Sequence, residues 1–453
     1  MAGASPVEGG FAGALPVPVE RPDASHPWRS AVVGALATLV VVLLGVGFAH
    51  VAREAPLEVV IAAGDASGPP AIGTPHFRLT LEALTETPLT GGHRVEVLSN
   101  GDQTFARLYH DLRSARRSIA MEMYYGSAGE VTDSVVAILT ERARAGVLVY
   151  FLYDAFGTHP PPAEARHRLE QAGGRIAAFR PFRLSEVDRV SHRAHSRAVT
   201  VDGGIGYTGG FGLDDKWLGD GKKGWREANV RFEGPAVTQL QAAFAEEWAE
   251  ATGELLTGNR FFRTAPATGG GALAGLLHSV PASGTSPAER ALALTIAGAR
   301  TSLYISNAYF LPNGSFRALL ADAARRGVDV RILTNSEKTD VGLTRFGGRA
   351  HYEELLSAGV RIFEYQPSMM HSKTWVADGI WSGIGTMNFD NRSLALNNET
   401  GLIVLDSLTG ATMDSLFLRD LEQAHEITLE EFRVRSLWDR ARERVAGLLV
   451  RVL

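Results

Sequence analysis

The sequence predicts an α/β protein made of two similar halves, joined by a linker and preceded by an apolar anchor. Apolar runs of strand length alternate with helical patterns, one block of sequence recurs in order, and one uncharged run approaches bilayer length. From about residue 92 the first pattern is clear: IAMEMYY after Ser118 and VLVYFLYD after Gly146 suit buried strands, and SVVAILTERARAG between them suits a helix. Strand–helix–strand order implies a largely parallel sheet covered by helices.

The recurrence then fixes the organisation. Ala115-Arg116-Arg117-Ser118-Ile119 is echoed by Ala299-Arg300-Thr301-Ser302-Leu303, ARAGVLVYFLYD by ARRGVDVRILTN, and QAGGRIAAFRP by SAGVRIFEYQP. Three ordered matches indicate duplicated architecture. The uncharged run, Ala31 to Ala49, reads as an uncut membrane anchor rather than a signal peptide: it is long for a signal core and no small-x-small cleavage site follows. Arg21 and Arg29 before it and Arg53 after it favour an inside N-terminus by a narrow margin. The expected order is a disordered tail (1–27), the anchor (28–50), a linker (51–91), repeat one (92–263), a second linker (264–288), repeat two (289–428) and a C-terminal amphipathic helix (429–453). That last helix reads equally as one lying on anionic lipid and as one packed on the domain.

Composition narrows the chemistry. Of 453 residues, 45% are hydrophobic and 21% charged, which are globular values, and the net charge of -5 supplies no global pull toward nucleic acid. No cysteine is present, which excludes disulfides and thiolate nucleophiles. No plausible set of carboxylate metal ligands stands out, and no metal or cofactor is expected.

The chemistry follows each repeat. His371-Ser372-Lys373, TWVA, Asp378 and Gly385-Thr386-Met387-Asn388 in the second half match His195-Ser196-Arg197, AVTV, Asp202 and Gly209-Gly210-Phe211-Gly212 in the first, every position displaced by 176. His and the cation two residues on share a face of an extended strand. A neutral imidazole can attack phosphorus while a protonated one supplies the leaving alcohol with its proton. Lys373 and Arg197 suit the non-bridging oxygens, and the small residues Gly209, Gly210, Gly385 and Thr386 suit backbone approach to a phosphate. His192 reads as a neighbour, Ser196 and Ser372 as spacers. Asn391, Arg392 and Ser393 either shape the pocket or cap a helix.

The doubled HSK-x4-D-x6-GTMN pattern resembles the signature of the phospholipase D superfamily. The flanks, among them WREANVRFEGPAV, NAYFLP and NFDNRSLALNNE, resemble bacterial cardiolipin synthases over about residues 92 to 453. The resemblance implies two phospholipase D-like halves in a pseudo-twofold α/β sandwich, with the site at the seam. One histidine forms a phosphohistidine and the other is general acid and base. An acidic residue downstream of each motif, Glu227 in WREA and Glu399 in NNET, orients the histidine, which leaves Asp202 and Asp378 as structural or supporting residues. The implied setting is a bacterial cell membrane, with the catalytic part leaning to the extracytoplasmic face and a phospholipid, phosphatidylglycerol, as substrate. The implied reaction is cardiolipin synthesis from two phosphatidylglycerol molecules. Hydrolysis by the same machinery, as a phospholipase D or nuclease, and a degenerate lipid-binding protein stay open. Two departures bear on that choice. Arg197 replaces the usual lysine of the first motif, and Gly212 stands where asparagine is usual, opposite Asn388 in the second.

Overall fold

The computed structural model describes residues 3, 32–42, 45, 57–64, 68–182, 192–280 and 284–448. The chain forms two compact units, Met1–Phe48 and Ala49–Leu453. In the first, residues 32–42 and 45 are helical. The rest of the expected anchor, and the tail before it apart from Gly3, lie outside the described residues. Among the described residues no helix is long and apolar enough to cross a membrane.

Among the described residues the second unit holds fifteen strands. Repeat one supplies β1 (Thr90–Ser99), β2 (Ser118–Met123), β3 (Leu148–Asp154), β4 (Arg175–Phe179), β5 (Arg197–Val201), β6 (Ile205–Gly209) and β7 (Ala228–Glu233). Repeat two supplies β8 (Ala272–Ser279), β9 (Ser302–Asn307), β10 (Asp329–Asn335), β11 (Arg361–Tyr365), β12 (Lys373–Ala377), β13 (Trp381–Gly385), β14 (Glu399–Leu405) and β15 (Ala424–Ile427). Each half runs in the same spatial order, β1-β7-β6-β5-β2-β3-β4 and β8-β14-β13-β12-β9-β10-β11, with β15 added at the second edge. The halves join where β1 pairs antiparallel with β8 through Thr90–Ala274 and His93–Ala272. They also pack face to face: β6 and β7 lie against β13 and β14. Val230 and Phe232 of one half share a buried cluster with Ile384, Leu402 and Val404 of the other. Burying such side chains contributes roughly 1.5–3 kcal/mol each, so the seam is part of the core.

The sheets depart from the expected parallel majority. Among the fifteen described strands, only β2-β3-β4 and β9-β10-β11 pair in parallel. The strands that carry and follow the histidine motifs are antiparallel hairpins. A strand–helix crossover enforces parallel pairing, but a three-residue turn such as 202–204 can only reverse the chain.

Three segment assignments also change. The stretch read as the 51–91 linker contains α1 (Pro75–Thr85), started by the Thr74 side chain and a proline in the first turn. Its Phe77 packs edge-on against Trp381, with ring centroids 5.5 Å apart. The 264–288 linker contains β8, whose Ala272, Ala274, Leu276 and Leu277 are buried. Its small residues sit among Gly, Thr and Ser, which hid the strand. The C-terminal helix is broken into α2 (Leu429–Arg433) and α3 (Leu437–Gly447) because the Ser436 side chain caps a new start at the Asp439 N–H. Its Glu443 is buried against Arg349 and Arg435, while Leu437 and Trp438 are exposed.

Asp202 and Asp378 explain how each motif is held. Both lie in the left-handed region, at φ 54 and 51, and each is followed by a glycine of positive φ. Asp-Gly is suited to such a hairpin turn. The Asp202 carboxylate accepts from the N–H groups of Arg116, Arg117 and Ser118. The Asp378 carboxylate accepts from those of Arg300, Thr301 and Ser302 and from the Thr301 hydroxyl. Each thus ties the β5–β6 or β12–β13 turn to the start of the neighbouring strand, β2 or β9. Neither lines the cavity that holds the histidines; both carboxylates are spent on the backbone of their own half. Charge-assisted bonds of this kind contribute about 1.5–3 kcal/mol. Asp378→Ala is expected to lower stability by about 2–3 kcal/mol in a thermal or denaturant melt while the folded fraction keeps its activity. A folded variant that loses activity would contradict the structural role.

Candidate active site

Two backbone bridges across the seam bring the motifs together. The Asn398 N–H donates to Arg193 O at 2.8 Å. On the other side the Arg226 N–H donates to Met369 O, and the His371 N–H to Arg226 O, both at 2.8 Å. The preceding residues are pinned too. The Ala194 N–H donates to the Asp154 carboxylate at 3.2 Å and the Met370 N–H to Asn335 Oδ1 at 2.7 Å. Asp154 and Asn335 end matching strands, β3 and β10, a pair that the sequence aligned without revealing its use.

The bridges cross-connect the acids and bases. Nδ1 of His195 lies 2.9 Å from both carboxylate oxygens of Glu399, and Nδ1 of His371 lies 2.6 Å from Glu227 Oε2. Each histidine is therefore oriented by the glutamate of the other half, not by the one downstream in its own. All four side chains are buried. A carboxylate on Nδ1 fixes the tautomer and leaves Nε2 for chemistry. The motif cations lie at that second nitrogen: Arg197 Nη1 is 3.1 Å from His195 Nε2, and Lys373 Nζ is 3.0 Å from His371 Nε2. Arg197 also donates to His195 O at 2.9 Å, as Lys373 does to His371 O, so one arginine nitrogen repeats two of the lysine's contacts; Lys373 Nζ lies 3.0 Å from His371 Nδ1 as well. The Arg197 Nε is buried without a partner.

The two pairs are electrostatically unlike. Burial pushes the Glu399 carboxyl up. The charge of His195 and the donors from His195, Thr386 and Ser393 outweigh that push, and Glu399 stays below its usual range. Burial dominates at Glu227 and raises it to about 7, against the charge of Lys373 and the Ala228 N–H. Burial, opposed by Glu399, lowers His195 to about 4. Burial and then the charges of Lys373 and Arg197 hold His371 well below its usual value. Burial also brings Lys373 down to about 7; an anion in the site restores its charge.

The small residues after each motif serve the carboxylates and the sheet. A side chain on Gly210 would meet the Glu227 oxygens at 2.3 Å, and the equivalent Thr386 donates its hydroxyl to Glu399. Gly385 is packed against the Thr400 backbone, and Gly209 against Asn229. Asn388 lines the cavity, and its Oδ1 is buried without a partner. Of the serines, Ser196 donates to Glu247 at 3.2 Å, and the Ser372 hydroxyl has no partner. Asp390, not one of Asn391, Arg392 and Ser393, is the helix cap; of those three, Arg392 and Ser393 line the cavity.

Gly212 has a steric cause. A Cβ there would lie 2.8 Å from the Trp217 ring and 2.9 Å from Tyr125 O. Trp217 donates to Glu227 at 3.3 Å, supplying a donor where the second half uses Thr386. The counterpart of the Gly212–Trp217 pair is Asn388–Ser393, in which the Asn388 N–H donates to Ser393 Oγ at 3.2 Å. Trp217 and Trp225 flank His371, with centroids 5.3 and 4.9 Å away, and Tyr124 packs edge-on against His195 at 4.6 Å. The sequence reading missed these aromatic walls, because no spacing rule marks a ring as a site wall rather than core. Together with Lys216, Tyr309 and Arg392 they line a cavity of about 390 Å³. Among the described residues no cluster of His, Asp and Glu is arranged to hold a metal.

This geometry predicts an exchange experiment. Gly212→Asn alone is expected to displace Trp217 and cost about 1–3 kcal/mol of stability, as overpacking does. Adding Trp217→Ser recreates the second half's pair and is expected to recover most of that loss in the same melt. Additive losses would show that the two positions are not coupled.

Comparison with known proteins agrees with this layout. Residues 292–421 match the family described as cardiolipin synthase, PLD-like domain. The chain is 33% identical over 384 residues to a cardiolipin synthase of Geobacillus kaustophilus, covering 83% of this chain and 76% of that protein. It is 33% identical over 376 residues to cardiolipin synthase A of Pseudomonas fluorescens, covering 82% and 77%. Among solved structures, the fold is similar to phosphatidylserine synthase of Haemophilus influenzae, with a TM-score of 0.67 at 13% identity over 83% of this chain and all of that one. The chain belongs to the cardiolipin synthase family of phospholipase D-like proteins.

Proposed function

We propose that this protein makes cardiolipin by moving a phosphatidyl group from one phosphatidylglycerol to another through a histidine. The observation that carries this reading is the crossed pair of buried His–Glu contacts opening on one cavity, with Arg197 and Lys373 beside the two reactive nitrogens. Kinship with cardiolipin synthases over most of the chain supports the substrate and the acceptor.

His195 is assigned as nucleophile and His371 as acid and base. Ionised Glu399 beside a neutral His195 suits attack by Nε2, whereas the Glu227–His371 pair holds an exchangeable proton up to about pH 7. His195 Nε2 forms the bond to phosphorus as the P–O bond to glycerol breaks. His371 Nε2 gives its proton to the departing oxygen and takes one at Nδ1 from Glu227. A hydroxyl of the second phosphatidylglycerol then returns a proton to His371, forms the new P–O bond and releases His195. Arg197 and Lys373 hold the non-bridging oxygens as charge develops on them. The membrane is the source of both lipids.

The full chain is expected to convert phosphatidylglycerol vesicles to cardiolipin and glycerol. His195→Ala and His371→Ala should each lower that rate by about 10³-fold or more. Phosphatidic acid without cardiolipin would make water the acceptor and the protein a hydrolase. The assignment of roles has its own test. With a p-nitrophenol ester, whose leaving group needs no acid, His371→Ala should keep a burst of p-nitrophenol and His195→Ala should lose it. The reverse pattern exchanges the roles.

The pH dependence follows from the two pairs. His195, lowered to about 4, stays unprotonated across the neutral range, so the rate should be flat down to about pH 5. Glu227, raised to about 7, loses its proton as pH rises through that value, and kcat, which reads the complex in which bound phosphate keeps Lys373 charged, should fall there. Glu227→Gln should remove that alkaline limb; a limb that stays would assign it to another group.

A further inference from the structure

We infer that Lys216 binds the phosphate of the acceptor phospholipid, forming an outer cation site distinct from the two motif cations; this rests on the proposed transfer between two phosphatidylglycerol molecules. Lys216 and Arg392 are related by the same displacement of 176 as the motifs. Each sits two residues after an aspartate that caps a short turn: Asp214 accepts from the Lys216 N–H at 2.8 Å and Asp390 from the Ser393 N–H at 2.7 Å. Both side chains line the histidine cavity. The arrangement is crossed like the carboxylates. Lys216, from the first half, acts on His371, and Arg392, from the second, acts on Tyr124, which packs on His195.

The surroundings of Lys216 point to an anionic ligand. Its Nζ lies 3.5 Å from the Tyr125 ring centroid, 4.2 Å from Trp225 and 4.8 Å from Trp217. The same two tryptophans flank His371. Aromatic faces attract an ammonium without accepting conventional hydrogen bonds, so its N–H donors stay available. Among the described residues no carboxylate forms an ion pair with it. The adjacent Asp214 accepts from Ser127, and Asp215 from the N–H groups of Glu130 and Val131. Arg197 and Lys373, by contrast, are engaged at their own histidines and serve the phosphorus under attack.

The substrates supply a matching anion. A phosphatidylglycerol acceptor carries a second phosphate one glycerol away from the phosphorus being attacked; water carries none. Holding that phosphate beside the walls of His371 brings the acceptor hydroxyl to the base that deprotonates it. Lys216 thereby favours transfer over hydrolysis without touching the reacting atoms.

The test uses the full chain in phosphatidylglycerol vesicles with Lys216→Met, which keeps the apolar stem against the rings and removes the charge, and with Lys216→Arg. Cardiolipin and phosphatidic acid are quantified together, with ethanol added as an acceptor without phosphate. Loss of one charge-assisted contact is expected to lower the cardiolipin to phosphatidic acid ratio by about tenfold or more. The phosphatidylethanol to phosphatidic acid ratio should stay near that of the unsubstituted chain, and Lys216→Arg should restore most cardiolipin. An unchanged cardiolipin ratio, or an equal fall in all three products, overturns the inference. If the unsubstituted chain consumes phosphatidylglycerol but makes no cardiolipin, the parent reading fails, and this one with it.

Discussion

The crossed contacts between imidazole and carboxylate are the constraint on which the rest of the molecule depends. Four ionisable side chains are buried at one seam, and a buried charge is tolerated only when it is paired and hydrogen-bonded. The pairing partners come from opposite halves, so the sheets must meet in one register for any of the four to be satisfied. The bridges at Asn398–Arg193 and Arg226–Met369 fix that register through the backbone. The apolar cluster shared by β7, β13 and β14 supplies the burial that makes it hold.

Much of this was legible in the sequence. The displacement of 176 between HSR and HSK identified the site histidines and their cations, and strand–helix alternation identified two α/β halves. Other features were not legible for definite physical reasons. Local spacing cannot say whether Glu227 serves His195 or His371, because that depends on how two distant segments dock. What the Asp-Gly turns hold was not legible either, because the N–H groups that their carboxylates accept from lie 85 and 77 residues earlier in the chain. β8 was hidden because alanine and glycine in a buried strand look like linker residues when read without their partners. The parallel majority was overestimated because the helical crossovers advertise themselves and the tight hairpins do not.

Gly212 shows how a departure from a motif can be a compensated exchange rather than decay. Glycine there makes room for Trp217, which donates to Glu227 and walls His371. The second half meets the same need with Asn388, Ser393 and Thr386. The two halves thus keep one backbone plan while differing in what surrounds each histidine. One result is a Glu227 that releases its proton near neutrality beside a Glu399 that stays ionised. Two chemically identical histidines thus sit in electrostatically different surroundings.

The seam bridges also bear on how such a chain comes to be competent during synthesis. Repeat one emerges from the ribosome with His195 formed but its carboxylate partner more than two hundred residues away, so the early half carries an unoriented base and an unsatisfied Glu227. Repeat two is the mirror case, with His371 and Glu399 but neither of their partners. Each half alone thus carries one imidazole and one carboxylate of the site, and the observed pairs exist only across the seam.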